Sequence, residues 1–194
     1  PAAGGTPAPV ATTVLKTDKA EYHRPFLVAY HGVDAAGKTA DSAEVRDAGG
    51  TIAALGNNVR ISSVKASPDG AHLYHEEARG IVPNGNGTDT IEDLFIDGTQ
   101  LLADGVFAQD HASKEKVHFS PTSNVVVVGA KIVDALGGTV DHVVRAYPLA
   151  APFDAGAFHI IGDDAALDLS RQGPSTQNEI TLDGDVVLFG AGKN

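Results

Sequence analysis

Asp-Gly pairs recur along this sequence, each between short segments rich in β-branched and aromatic residues. The pairs lie at positions 69–70, 97–98, 104–105 and 183–184, and the Gly-Gly pair at 137–138 is a fifth candidate turn. A two-residue hairpin turn of type I′ needs positive φ at both central residues, which Asp tolerates and Gly adopts freely. The segments LFIDGTQLL and EITLDGDVVLF are therefore predicted hairpins, and KIVDALGGTVDHVVRAY is predicted to be a longer one.

Further strands are predicted from runs of apolar residues between these turns. Residues 25–33 are almost continuously apolar, which predicts a strand buried on both faces. Residues 51–55 and 59–65 are predicted as two separate strands, the second with a bulge at Ser62 and Ser63, where the apolar alternation shifts by one residue. The remaining predicted strands cover residues 71–77, 124–128, 158–161 and 165–169.

Two segments also carry helix signals. Asp41, Glu44 and Gly49 stand where a cap, a third helical position and a terminating glycine would stand, so a short helix over 41–49 competes with a loop. Asp89 and Glu92 form a second capping box, but we prefer a strand over residues 89–96. The predicted fold is all-β: an antiparallel β-sandwich or barrel, jelly-roll arrangements included, with at most one or two short helices.

The charge of the chain restricts its partners. It carries 25 acidic against 14 basic residues, a net charge of -11, and shows no basic cluster. Neutralising phosphate requires Lys or Arg, so nucleic acid and anionic membranes are not expected partners. The absence of Cys excludes disulfides and thiolate ligands, and no run of 18 apolar residues predicts a membrane span.

The first thirteen residues differ in composition from the rest. They read PAAGGTPAPVATT and are small, uncharged and rich in proline, with Pro1, Pro7, Pro9 and Val10 among them. Such a segment cannot build a core and is typical of an extended arm or linker. The predicted organisation is an N-terminal arm over 1–13, which either stays a flexible tail or contacts a neighbouring subunit, and a single β domain over 14–194.

The clearest polar cluster lies in the segment AHLYHEE. On a strand, successive side chains point to opposite faces, so His75 and Glu77 share one face and His72 lies on the other. Nitrogen and oxygen ligands of this kind begin a metal site that other segments would have to complete. His72, His75, Glu77 and Asp89 are the candidate metal ligands; the alternative is a polar strand exposed to solvent.

No cofactor is expected, and calcium is the alternative that the acidic segments leave open. Residues 84–92, NGNGTDTIE, fit the calcium-binding β-roll nonapeptide except for Asn84 at its first glycine. That architecture binds calcium between successive repeats, and only one copy is present here, which favours a flexible surface loop. The acidic run GDDAALD over 162–168 is a second source of oxygen ligands.

No nucleophile elbow or phosphate-binding loop is present, so no catalytic residue is predicted. The function expected is that of a non-enzymatic structural protein that assembles with copies of itself, either as a virion component or as an extracellular filament. One alternative is a secreted carbohydrate- or calcium-binding module. The other is a metal-dependent enzyme on a β scaffold.

Overall fold

The computed structural model describes residues 17–47, 49–84, 87–101, 107–108, 117–133, 139–163, 180–183 and 186–189. These residues form fifteen strands and one three-residue 3₁₀ helix, Ile61–Ser63, so the predicted all-β class is confirmed. The strands are β1 (Lys19–His23), β2 (Phe26–Val33), β3 (Thr39–Arg46), β4 (Ile52–Arg60), β5 (Lys65–Ala66), β6 (Leu73–Asn84), β7 (Gly87–Ile96), β8 (Thr99–Gln100), β9 (Phe107–Ala108), β10 (Val117–Phe119), β11 (Val125–Val133), β12 (Thr139–Pro148), β13 (His159–Asp163), β14 (Ile180–Asp183) and β15 (Val186–Phe189).

Thirteen of the strands belong to one antiparallel sheet. Its order is β1-β2-β3-β4-β6-β7-β9-β11-β12-β13, with β5 on β6, β8 on β7 and β10 on β11, while β14 and β15 pair separately. Because neighbours along the chain are mostly neighbours in the sheet, short hairpin connections suffice to build it. The sandwich or barrel closure stays a prediction. No helix in the described parts of the chain has the length and apolarity that crossing a membrane requires.

One of the two described Asp-Gly turns follows the predicted chemistry in full. At Asp69–Gly70 only the glycine has a positive φ, 73°, and its N–H donates to the Ser67 carbonyl, so that turn is not of type I′. Asp97 and Gly98 have φ of 51° and 75°, as a type I′ turn between β7 and β8 requires. The predicted hairpins β11–β12 and β14–β15 are confirmed by their pairing, although the turn residues 137–138 and 184 lie outside the described residues. The Asp-Gly pair at 104–105 and the predicted strand at 165–169 lie outside them as well.

Three predictions for residues 41–65 are wrong. The segment with the helix signal is strand β3, because pairing with β2 and β4 on both sides outweighs a local capping pattern. The break predicted between residues 55 and 59 is absent, because β4 runs from Ile52 to Arg60 and passes through Asn58 with a positive φ of 51°. The predicted bulge at Ser62–Ser63 is occupied by the 3₁₀ helix. The second capping box forms no helix, and β7 takes its place as preferred.

The buried apolar residues form two clusters that meet at β6. The first packs against β2, β3 and β4 and includes Leu73. The second packs against β7, β11 and β12 and includes Tyr74. Because Leu73 and Tyr74 are consecutive in one strand, the two clusters lie on opposite faces of β6.

Strand β2 shows that only one of its faces is buried. Val28 and Tyr30 are fully buried in the first cluster, whereas Leu27, which points to the opposite face, is exposed. The prediction that this strand is buried on both faces is therefore wrong, since the outer face of β1–β4 is not covered by another described element.

Candidate functional site

His72 is held by the turn between β7 and β8. Its Nδ1 lies 2.7 Å from Oδ2 of Asp97, and the other carboxylate oxygen of Asp97 accepts a hydrogen bond from the Leu73 backbone N–H at 2.9 Å. One Asp thus joins the start of β6 to the turn that follows β7. His72 therefore has a structural role, since its contact with Asp97 holds the turn against the start of β6.

His75 and Glu77 share a face of β6, as predicted, but that face is not exposed to solvent. The His75 side chain is fully buried and its ring stacks on Phe95 of β7, with centroids 5.0 Å apart and planes at 13°. Its Nε2 lies 3.4 Å from Oε1 of Glu77, and that oxygen also accepts the Asn57 N–H at 3.2 Å. The expectation of a solvent-exposed polar strand is therefore wrong for this part of β6.

Burial sets the protonation of this pair. It lowers the pKa of His75 from 6.5 to about 4, because a buried imidazolium loses its hydration. Burial also raises the pKa of Glu77, an effect that the hydrogen bond from the Asn57 N–H opposes. At neutral pH His75 is therefore a neutral ring within the sheet.

Asp89 lies far from this pair. It stands opposite Val82 in the β6–β7 ladder, whereas His75 stands opposite Phe95. Seven residues of strand separate Val82 from His75, which is about 23 Å. The four predicted metal ligands are thus not brought together. Within the described ranges, no three or more His, Asp or Glu side chains are grouped so that they could hold a metal ion.

The predicted calcium loop is mostly strand. Residues 87–92 belong to β7 and residue 84 ends β6, so the segment forms a hairpin rather than a flexible loop. Only residues 85 and 86 of the nonapeptide lie outside the described residues, together with residues 164–168 of the acidic run. Calcium binding stays a prediction.

Sequence reasoning missed a buried polar cluster on the opposite face of β6. The Tyr74 hydroxyl donates to Oε1 of Glu76 at 2.7 Å, and the Glu76 backbone N–H donates to Oγ of Ser63 at 2.8 Å. Nη1 of Arg60 contacts Oε1 of Glu92, and both Glu76 and Glu92 are buried. The cluster joins the 3₁₀ helix to β6 and β7.

The hydrogen bond from Tyr74 is a stable feature of this cluster. Burial, followed by the charge of Glu76, raises the pKa of the Tyr74 hydroxyl well above its ordinary value, so the hydroxyl remains a donor. The second carboxylate oxygen of Glu76, Oε2, finds no partner among the described residues. The strand register places Glu76 opposite Leu94 and Ala78 opposite Glu92, so that both glutamates lie on the face that Tyr74 shares with Ile96. This register could have indicated that the glutamates are buried, but the sequence alone does not give it.

The outer face of β1–β4 carries an aligned row of four side chains, of which three are exposed and Arg46 is half-buried. Tyr22 stands opposite Leu27, Leu27 opposite Arg46, and Arg46 opposite Ile52. Tyr22, Leu27 and Ile52 are 67%, 38% and 54% exposed. Residues directly opposite in a ladder share a face, so these four form one continuous strip, the outer row.

The outer row begins at an edge of the large sheet. Within the described residues β1 pairs only with β2, and β13 at the far end pairs only with β12. An edge strand offers unpaired backbone N–H and C=O groups to another chain. The fold therefore combines an open edge with an apolar strip beside it.

A glycine in β4 makes room for the buried His75–Glu77 pair, and its replacement should destabilise the protein. A Cβ at Gly56 would lie 1.9 Å from Oε1 of Glu77 and 2.9 Å from Nε2 of His75. We expect Gly56→Ala to lower the free energy of unfolding by about 1–3 kcal/mol, since the side chains must shift and lose their hydrogen bonds. Urea unfolding measures the change.

Gly80 in β6 is the matched control for Gly56. A Cβ there meets nothing within 4 Å, and neither glycine has a positive φ. Gly80→Ala should leave stability unchanged or raise it slightly, because alanine restricts the unfolded chain. Equal destabilisation by the two substitutions would contradict the assigned contact.

No family model matches this chain, and neither a curated protein nor a solved structure shows significant similarity to it.

Proposed function

We propose that this protein is a non-enzymatic structural subunit that assembles with copies of itself, as a virion component or an extracellular filament. The observation that supports the proposal is the outer row beside the open edge at β1. Single exposed apolar residues are ordinary on a protein surface, but residues aligned across four strands give a strip that another protein can cover.

The residue types of the outer row suit an interface. Tyrosine and arginine are enriched at the centres of protein interfaces, where they combine apolar area with a polar group. Arg46 stands between Leu27 and Ile52 in the row, so its aliphatic stem extends the apolar strip. A covering partner would bury this strip together with the edge of the sheet.

The N-terminal arm is the second element of the proposal. Residues 1–13 lie outside the described residues, and the chain reaches β1 at Lys19, only a few residues later. An extended arm that starts at an edge strand can reach a neighbouring subunit and add a strand to its sheet. Backbone hydrogen bonds would then supply affinity without any specific side chain.

The mass of the protein in solution tests the proposal. Light scattering should show a particle several times heavier than the 19.9 kDa chain, and added salt should strengthen assembly by screening a net charge of -11 per copy. A variant lacking residues 1–13 should assemble more weakly while its thermal unfolding is unchanged. A chain that remains monomeric at all salt and protein concentrations contradicts the proposal, and normal assembly of the truncated variant removes the arm from it.

A further inference from the structure

The far end of the β6–β7 hairpin is a two-stranded ribbon. In the described residues, positions 81–84 pair only with positions 87–90, while β4 and β9 pair with the hairpin nearer its base. We call residues 81–84 and 87–90 the distal ribbon; its paired length is about 13 Å. Its base is fixed by Arg79, whose Nε donates to Oδ2 of Asp93 at 2.8 Å and whose Nη2 contacts the other oxygen.

A partner for the distal ribbon is favoured by its exposure. Ile81 is 70% exposed, the largest fraction among the large apolar side chains described. A two-stranded hairpin is marginally stable in water unless another surface covers it. An apolar side chain on such a ribbon is therefore suited to contact a second protein.

The charge of the chain indicates which protein contacts the distal ribbon. Asp89 is the one charged residue among the ribbon positions, and the ladder sets it opposite Val82, whereas Ile81 stands opposite Thr90. Positions 80–88, GIVPNGNGT, carry no charge, although the net charge of the chain is -11. Two copies of so acidic a chain repel each other wherever their charged surfaces meet. An uncharged segment is where a second copy can approach, whereas a basic partner would be attracted to the acidic surfaces instead.

The outer row is the matching surface. Tyr22 and Ile52 are more than half exposed, as is Ile81, so the ribbon and the outer row do not cover each other within one chain. Building on the proposed function, we propose that the distal ribbon of one copy docks through Ile81 on the outer row of a second copy. Such a contact joins two different surfaces, so repetition generates a ring or a filament.

Substitution of Ile81 tests the contact. Ile81→Lys should raise the dissociation constant for assembly about tenfold or more, as expected for the loss of one buried isoleucine. The added lysine lowers the net negative charge, so weaker assembly cannot come from greater repulsion between copies. Light scattering over a concentration series gives the constant, and circular dichroism confirms the fold.

An exposed isoleucine elsewhere provides the matched control. Ile160 on β13 is 56% exposed, and Ile160→Lys should leave the dissociation constant unchanged. If Ile81→Lys perturbs the fold, Ile81→Thr is used instead, because threonine also favours strands but lacks most of the apolar contact. Its dissociation constant is measured by the same light scattering series. Assembly that is equally strong in wild type and in the folded Ile81 variant overturns the inference but leaves the proposed function standing.

Mixing two defective variants tests whether the contact joins different surfaces. Ile81→Lys impairs the ribbon and Ile52→Lys impairs the outer row, so each variant alone should be mostly monomeric at a protein concentration between the dissociation constants of the wild type and the variant. In a mixture, the intact ribbon of the second variant can dock on the intact row of the first, which should yield a dimer. Failure to form this dimer overturns the ribbon-to-row contact. A monomeric wild type instead rejects the proposed function, and the inference with it.

Discussion

The free energy of unfolding should fall by about 3 kcal/mol as the pH is lowered from about 6.5 to about 4. Burial holds the pKa of His75 at about 4 in the folded chain, against 6.5 as its ordinary value. Between these values the unfolded chain binds a proton that the folded chain does not, so acid favours unfolding. The stabilisation is complete above the unfolded pKa and is lost progressively below it.

Carboxyl groups act at the acid end of this range. The pKa of Glu77 is raised by burial, so its protonation favours the folded state and opposes part of the loss. The pKa values of Asp34, Asp47 and Asp69 are lowered, chiefly by hydrogen bonds, so their contributions are lost only below about their ordinary value of 3.8. The upper part of the range therefore reports mainly on His75.

Urea unfolding at a series of pH values measures the effect. His75→Gln cannot titrate and should flatten the dependence of stability on pH in this window, whatever its stability at neutral pH. An unchanged slope in the His75 variant would show that another group is responsible.

Replacement of Gly70 by alanine should destabilise the protein by about 3 kcal/mol. Gly70 has a φ of 73°, and a Cβ there would lie 2.3 Å from Cδ and 3.0 Å from Cγ of Pro25. The proline ring cannot rotate away, because it is closed on its own backbone. Alanine therefore meets both an unfavourable backbone conformation and a clash between the turn before β6 and the turn after β1.

Gly98 separates these two causes. Its φ of 75° is nearly the same and it also follows an aspartate, but a Cβ there meets nothing within 4 Å. Gly98→Ala should lower the free energy of unfolding by about 1–2 kcal/mol, the backbone contribution alone. Unfolding in urea compares the two variants, and equal losses would mean that Pro25 exerts no steric constraint.

The turns were the most predictable part of the fold, because their chemistry is local. Asp97 and Gly98 adopt the backbone conformation that their residue types favour, and two of the three predicted hairpins form around turns that the structure does not describe. A hairpin needs only a turn and two flanking strands, so a short stretch of sequence contains the whole signal.

Segments decided by pairing with distant strands were predicted poorly. The helix signal at Asp41 and Glu44 is genuine in local terms, but β2 and β4 take up the backbone of that segment. Likewise, GNN over 56–58 resembles a turn, yet Asn58 accepts a positive φ and the strand continues. The local preference of a segment for helix or turn is outweighed where the segment forms backbone hydrogen bonds with strands on both sides.

The candidate site was predictable only in part. Strand periodicity placed His75 and Glu77 on one face, and the structure confirms it. The burial of that face depends on Phe95, which the register brings opposite His75, and on Gly56 of β4. The outer row likewise depends on the register of four strands, which no single segment encodes.

The position of Leu73 and Tyr74 has a consequence for how the molecule comes apart. Both apolar clusters pack on β6, one on each face. If one cluster unfolds, it exposes one face of β6, and the strand that supports the other cluster is then destabilised. Heating should therefore melt both halves in a single cooperative step, with the amide protons around residues 73–77 among the last to exchange with solvent.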